Sequence, residues 1–279
     1  MDCLDHWCSD CCFVGTAAAR SLQSGPANAV FGRKPCAPGA ALSGQEHPGK
    51  QSAGFSGRSG QRLWHGTGYS TIQRWSGHGF SHGFHDDTLD RVCGVHGRVD
   101  AYTFDELRQM RLCGTEETLP LLTEVFDVVQ GRQPMIIELK TGPRNNELCE
   151  KGLALMRSYQ EKYPKAAFCI ESFDPRIVAW FRRNAPDIFR GQLADEPKSY
   201  EDMSALRGFC LGCTLYNVIA RPQFIAYGPG KKPILERLAE AMGAVRVCWT
   251  VRPEDDIVAK ELENDAVIFE FYNPKPRYK

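Results

Sequence analysis

The amino-acid sequence predicts an α/β fold, a (β/α)8 barrel that is incomplete at its N-terminus. Short, nearly continuous apolar runs alternate with amphipathic stretches through the last two-thirds of the chain, the pattern of a parallel sheet with helical crossovers. Polar and aromatic residues fall just after those runs, where barrel enzymes build their sites. The alternation begins only at Phe84, so the preceding residues contribute no comparable strand–helix unit.

The elements follow in order. Met135–Leu139 reads as a buried strand, followed by a Gly-Pro loop and a helix from about Glu147 to Lys162. Ala167–Glu171 is the next strand, and Asp174 opens a helix that runs to about Asn184. Further apolar runs, read as strand-like, lie at Phe209–Leu211, Val245–Val251 and Ala266–Phe271. Pro233–Met242 and Pro253–Leu262 carry the 3.6-residue apolar period of helices between them. At 279 residues, a barrel of this kind is expected to form a single domain, here 84–279.

Residues 1–83 have a different composition. They hold fourteen of the 26 glycines but only seven Leu, Ile and Val residues. Neither alternation nor helical periodicity runs through them, and segments such as Gly54-Phe55-Ser56-Gly57-Arg58-Ser59-Gly60 bury too little to offset ordering entropy. This part is expected to be irregular, disordered or translated out of frame.

Bulk properties exclude several classes. Formal charge is zero, which gives no broad attraction to nucleic acid or anionic surfaces. No run of roughly eighteen apolar residues is present, so no membrane segment is expected as the sequence stands, and the expected location is the cytoplasm. Of the twelve cysteines, only Cys210 and Cys213 form a well-spaced pair outside the N-terminal cluster, and every histidine lies at or before His96. Reduced thiols are the expectation, rather than zinc or a disulfide scaffold.

Two stretches carry chemistry. His85 follows an aromatic and precedes Asp86, and Glu138-Leu139-Lys140 ends an apolar run. A carboxylate can hold a hard divalent cation, a lysine can meet a phosphate oxygen, and an imidazole can move a proton near neutral pH. Together they suggest phosphate-ester chemistry. Glu138 and Lys140, two apart on a strand, face the same side. The alternatives are a loop-capping His85, a strand-end glutamate in solvent and a surface lysine.

With these residues in view, the chain resembles the glycerophosphodiester phosphodiesterases. The resemblance rests on His85-Asp86-Asp87-Thr88-Leu89-Asp90-Arg91, Gly94-Val95-His96-Gly97-Arg98-Val99 and Thr103-Phe104-Asp105-Glu106-Leu107. It continues through Leu119-Pro120-Leu121-Leu122-Thr123-Glu124-Val125, Ile137-Glu138-Leu139-Lys140, Glu171-Ser172-Phe173-Asp174 and Trp249-Thr250-Val251. It implies a (β/α)8 barrel, a Ca2+ or Mg2+ ion, and hydrolysis of a glycerophosphodiester to glycerol 3-phosphate and an alcohol. It further implies that His85 is the second of two catalytic histidines, Glu138 a metal ligand and Lys140 a phosphate contact. Phe173 and Trp249 match positions lining the substrate cleft; core packing is the other reading of both. The family's C-terminal Asp-Gly strand is replaced here by Asn264-Asp265-Ala266-Val267.

The family's opening elements, a strand ending His-Arg-Gly, a Pro-Glu-Asn helix start and a strand ending Glu-x-Asp, are absent before Phe84. Codons compatible with residues 37–73, read one base later, can spell HRGL, KNIPENSL and YGTELDIQ in that order. Out-of-frame translation up to about residue 83 is therefore expected, and codons for Met1–Gly15 read the same way could give an apolar membrane anchor. Two further function classes stand beside hydrolysis: an inactive barrel remnant with half a metal site, and a phosphate-binding scaffold using Lys140 and His85.

Overall fold

The structure, a computed structural model, describes residues 89, 93–112, 116, 118–132, 134–200 and 203–269, together with the strands Cys12–Gly15 (β1) and Trp64–Tyr69 (β2). Six parallel strands carry the barrel wall. They are β3 (Met135–Leu139), β4 (Phe168–Ser172), β5 (Arg190–Ala194), β6 (Phe224–Tyr227), β7 (Val245–Val251) and β8 (Ala266–Phe269). β2 joins β3 in parallel, and β1 closes the ring antiparallel to both β2 and β8. The barrel is thus incomplete as a (β/α)8 fold at its N-terminal side, where β1 runs antiparallel to its two neighbours.

The helices follow the strands. They are α1 (Phe104–Leu107), α2 (Leu122–Val129), α3 (Asn145–Lys162), α4 (Pro175–Asn184), α5 (Ala205–Gly212), α6 (Asn217–Ala220), α7 (Ile234–Ala241) and α8 (Ile257–Glu263). Local chemistry fixes several starts. Thr103 and Glu106 form a reciprocal capping box on α1. Asp174 caps α4 by accepting from the backbone N–H of Arg176, with Pro175 at the first helical position.

Strand alternation divides the apolar residues into two layers. Met135, Ile137, Leu139, Phe168 and Ile170 point outward and pack against Leu122 and Phe126 of α2, Met156 and Tyr159 of α3, and Phe181 of α4. Ile136, Cys169, Phe189, Leu193, Phe224, Ala226, Val247 and Ile268 point inward and fill the barrel, with Phe173 and Trp249 packed on them. Gly191 makes room in that interior. A Cβ there would come within 2.1 Å of the Phe224 ring, which stacks on Phe189.

β3 and β7 have the expected boundaries, and α3, β4 and α4 lie within two residues of theirs. Phe209–Leu211 is a correction: it belongs to helix α5, which packs through Gly208 and Gly212 closely on the 3-10 turn Pro197–Tyr200. β5 and β6 were not legible in the sequence. Arg190-Gly191-Gln192-Leu193-Ala194 is too polar to stand out, and Phe224–Tyr227 is only four residues long.

Candidate active site

Because Ile136 points into the barrel, its alternates Glu138 and Lys140 extend that face towards the C-terminal end of β3. Lys140 Nζ lies 2.5 Å from Glu138 Oε1, with both side chains largely buried. β3 and β4 run in register so that Glu138 stands beside Glu171, while the neighbour of Glu138 on β2 is Gly68. Glu171 is buried, and its Oε2 has no hydrogen-bond partner among the described residues, whereas Oε1 of Glu138 is held by Lys140. Burial, then the negative charge of Glu138, raises the Glu171 carboxyl to about 8, with Lys140 acting in the opposite sense.

The loops above these residues are latched together. Ser172 donates to the carbonyl of Leu139 at 2.6 Å and accepts from the N–H of Asp174. Asp174 Oδ2 accepts from Thr141 at 2.6 Å and from Asn145 at 2.8 Å. Burial favours the neutral acid of Asp174, but the bonds from Arg176 and Thr141 outweigh it and hold the carboxyl below its ordinary value. The loop after β3 is thus tied to the loop after β4. Gln192 adds a third tie, donating to the carbonyls of Ser172 and Phe173 at 3.1 and 3.0 Å.

Phe173 and Trp249 meet edge to face, with centroids 5.3 Å apart. The Trp249 indole N–H donates to the carbonyls of Ala226, at 2.8 Å, and Ala194, at 3.2 Å, which pins the ring across the ends of β5 and β6. These two aromatics form one wall at the C-terminal end of the barrel interior.

Four of the five residues singled out from the sequence therefore share one end of the barrel interior: Glu138, Lys140, Phe173 and Trp249. His85 lies outside the described residues. Glu171 joins this group, although the sequence reading used it only as part of a motif. A signal was there: a glutamate at the end of an apolar run, as at Glu138, on the adjacent parallel strand. Among the described residues no set of three or more His, Cys, Asp or Glu side chains is placed to share a metal ion. No helix among them is long and apolar enough to cross a membrane.

A parallel barrel with charged and aromatic side chains gathered inside its C-terminal rim defines an enzyme-like barrel. The Glycerophosphoryl diester phosphodiesterase family matches residues 84–273, and the chain belongs to that family of phosphodiesterase-like hydrolases. Solved structures are similar in fold. One is a Silicibacter pomeroyi DSS-3 protein assigned as a glycerophosphoryl diester phosphodiesterase, 19% identical, with TM-score 0.56 over 85% of this chain and 86% of its own. Another is an Oleispira antarctica phosphodiesterase in complex with its product sn-glycerol-3-phosphate, 18% identical, with TM-score 0.56 over 80% and 87%. A third is a glycerophosphodiester phosphodiesterase from Parabacteroides distasonis ATCC 8503, 17% identical, with TM-score 0.53 over 83% and 90%. No curated protein matches the chain.

Proposed function

We propose that this barrel hydrolyses glycerophosphodiesters to glycerol 3-phosphate and an alcohol, a reaction of glycerophospholipid turnover, with a divalent cation bound at Glu138. The observation that carries this reading is the buried Glu138–Glu171 pair with Lys140 beside it. Carboxylate oxygens, here the orphaned Oε2 of Glu171 and the oxygens of Glu138 beside it, are hard donors of the kind that Ca2+ and Mg2+ take. In donor type the pair fits such an ion, and Glu138 and Glu171 would hold it. In number the fit is partial, since these ions take at least six ligands. When bound, the cation supplies Lewis-acid stabilisation of charge on the phosphoryl oxygens.

The chain's own residues supply the rest. The Lys140 ammonium offsets negative charge on a phosphate oxygen as charge builds in the transition state. His85 protonates the departing alkoxide oxygen. Phe173 and Trp249 give the glycerol carbons an apolar wall. The barrel domain is proposed to span residues 84–279, as a unit separate in character from residues 1–83.

The test is release of glycerol 3-phosphate from glycerophosphocholine by the full chain, with Ca2+, with Mg2+ and with chelator. Turnover that needs the cation and disappears in Glu138→Gln is the expected result. Binding of glycerophosphocholine without turnover would replace this reading with the phosphate-binding scaffold. Neither binding nor turnover would leave the inactive remnant.

A further inference from the structure

Two stretches of the outer wall expose large apolar side chains: α7 and α8, through Ile234, Leu238, Met242, Val258 and Leu262, and the segment between β5 and β6. Leu206 and Phe209 lie three residues apart on α5, and Leu206 is 74% exposed. Leu215 and Tyr216 follow in the turn, and Val218 and Ile219 on α6 are 74% and 59% exposed. Within one span of fourteen residues, six large apolar side chains face solvent. Isolated exposed leucines need no explanation, but a cluster of this size marks a contact surface.

The charges carried by α5, α6 and the turn between them are positive, although Glu201 and Asp202 precede α5 in the chain. From residue 203 to 223 the chain has no Asp or Glu and carries Arg207 and Arg221, while Lys231 and Lys232 lie beyond β6, beside Glu196 and paired with Glu240. Arg182, at the end of α4, donates to the carbonyl of Ile219 at 2.6 Å and so brings its guanidinium to α6. Arg190 donates to the carbonyl of Arg221 at 3.3 Å, and its guanidinium is destabilised by burial and then by the nearby Arg182. Among the described residues Arg182, Arg207 and Arg221 have no carboxylate partner. The chain as a whole is neutral, so this excess is local.

We infer that the α5–α6 face docks on the surface of an anionic phospholipid bilayer. Aliphatic and aromatic side chains beside arginines that have no carboxylate partner among the described residues match the boundary between acyl chains and negative headgroups. A second protein with an apolar patch would satisfy the leucines but would leave the arginines without counter-charge. The face lies on the membrane and does not span it.

Co-sedimentation of the full chain with vesicles tests it. Phosphatidylcholine vesicles containing about one-quarter phosphatidylserine are expected to retain at least ~10-fold more protein than pure phosphatidylcholine, with the difference shrinking at high salt. Val218→Asp with Ile219→Asp, at exposed positions that leave the core intact, is expected to abolish retention. Arg207→Glu with Arg221→Glu is expected to abolish the preference for anionic lipid. Hydrogen exchange on the unaltered protein gives a reading free of variants, with residues 205–221 expected to gain protection only with anionic vesicles. Equal retention on both vesicle types, or none, overturns the proposal. So does self-association that the Val218/Ile219 variant disperses without lipid, or protection of 205–221 before lipid is added.

Discussion

Glu138 and Glu171 stand side by side on adjacent parallel strands, both inside the barrel, and Lys140 pairs with only one of them. Two carboxylates so placed in a poorly hydrated interior oppose each other's ionisation. A bound cation would relieve that repulsion, and this is the basis of the cation site proposed at the pair.

Replacing Glu171 with Gln keeps the shape and removes the charge. Calorimetric titration with Ca2+ is expected to show affinity at least ~10-fold weaker, about 1.4 kcal/mol, while the folded protein is as stable or more so. Unchanged affinity would remove Glu171 from the proposed site.

Asp174→Ala is expected to cost about 2 kcal/mol in urea unfolding, since it leaves Thr141 and Asn145 without their shared acceptor and strips the cap from α4. Asp174→Asn should recover part of that, because an amide oxygen still caps. The two variants should differ in the same order in turnover, as loosening the latch lets Lys140 and Phe173 drift apart.

Glu236 on α7 is fully buried, with neither oxygen hydrogen-bonded among the described residues, and burial raises its carboxyl to about 8. Its folded value lies above its ordinary one, so the folded state binds the proton more tightly. The stabilising contribution is full below about pH 4.5 and is lost as pH rises to about 8, at up to ~1.4 kcal/mol per pH unit. Glu236→Gln should flatten this part of the stability–pH curve and raise stability at pH 8. A variant whose curve follows the parent through that window would show that Glu236 is not the group responsible.

Gly191→Ala is expected to destabilise by about 1–3 kcal/mol through overpacking, because the added methyl meets the Phe224 ring and cannot be absorbed by a flexible chain end. Gly191→Ala combined with Phe224→Leu should recover much of the loss, measurable as the midpoint of thermal unfolding.

Genomic reads across codons 1–95 are expected to show a single-base change that restores HRG, PEN and ELD in frame. That would place carboxylates on the β2 side of Glu138, where Gly68 now stands. A shifted frame interrupted by stop codons would exclude this origin for residues 1–83.

By itself the sequence determined the parallel α/β class, the family and the strands Met135–Leu139 and Val245–Val251. It also placed Glu138 and Lys140 on one strand face, since period-two alternation follows from backbone geometry alone. Phe173 and Trp249 were visible only as motif residues. Their edge-to-face contact joins positions 76 apart in the chain, and no local pattern encodes it. β5, β6 and the helical state of Phe209–Leu211 were likewise beyond local reading, since short mixed-polarity segments take their conformation from what they pack against. The tertiary structure alone decided that Glu171 faces Glu138. Parallel register is set by the sheet as a whole, through hydrogen bonding between strands 33 residues apart, and it is this register that turns two separate glutamates into one acidic pair.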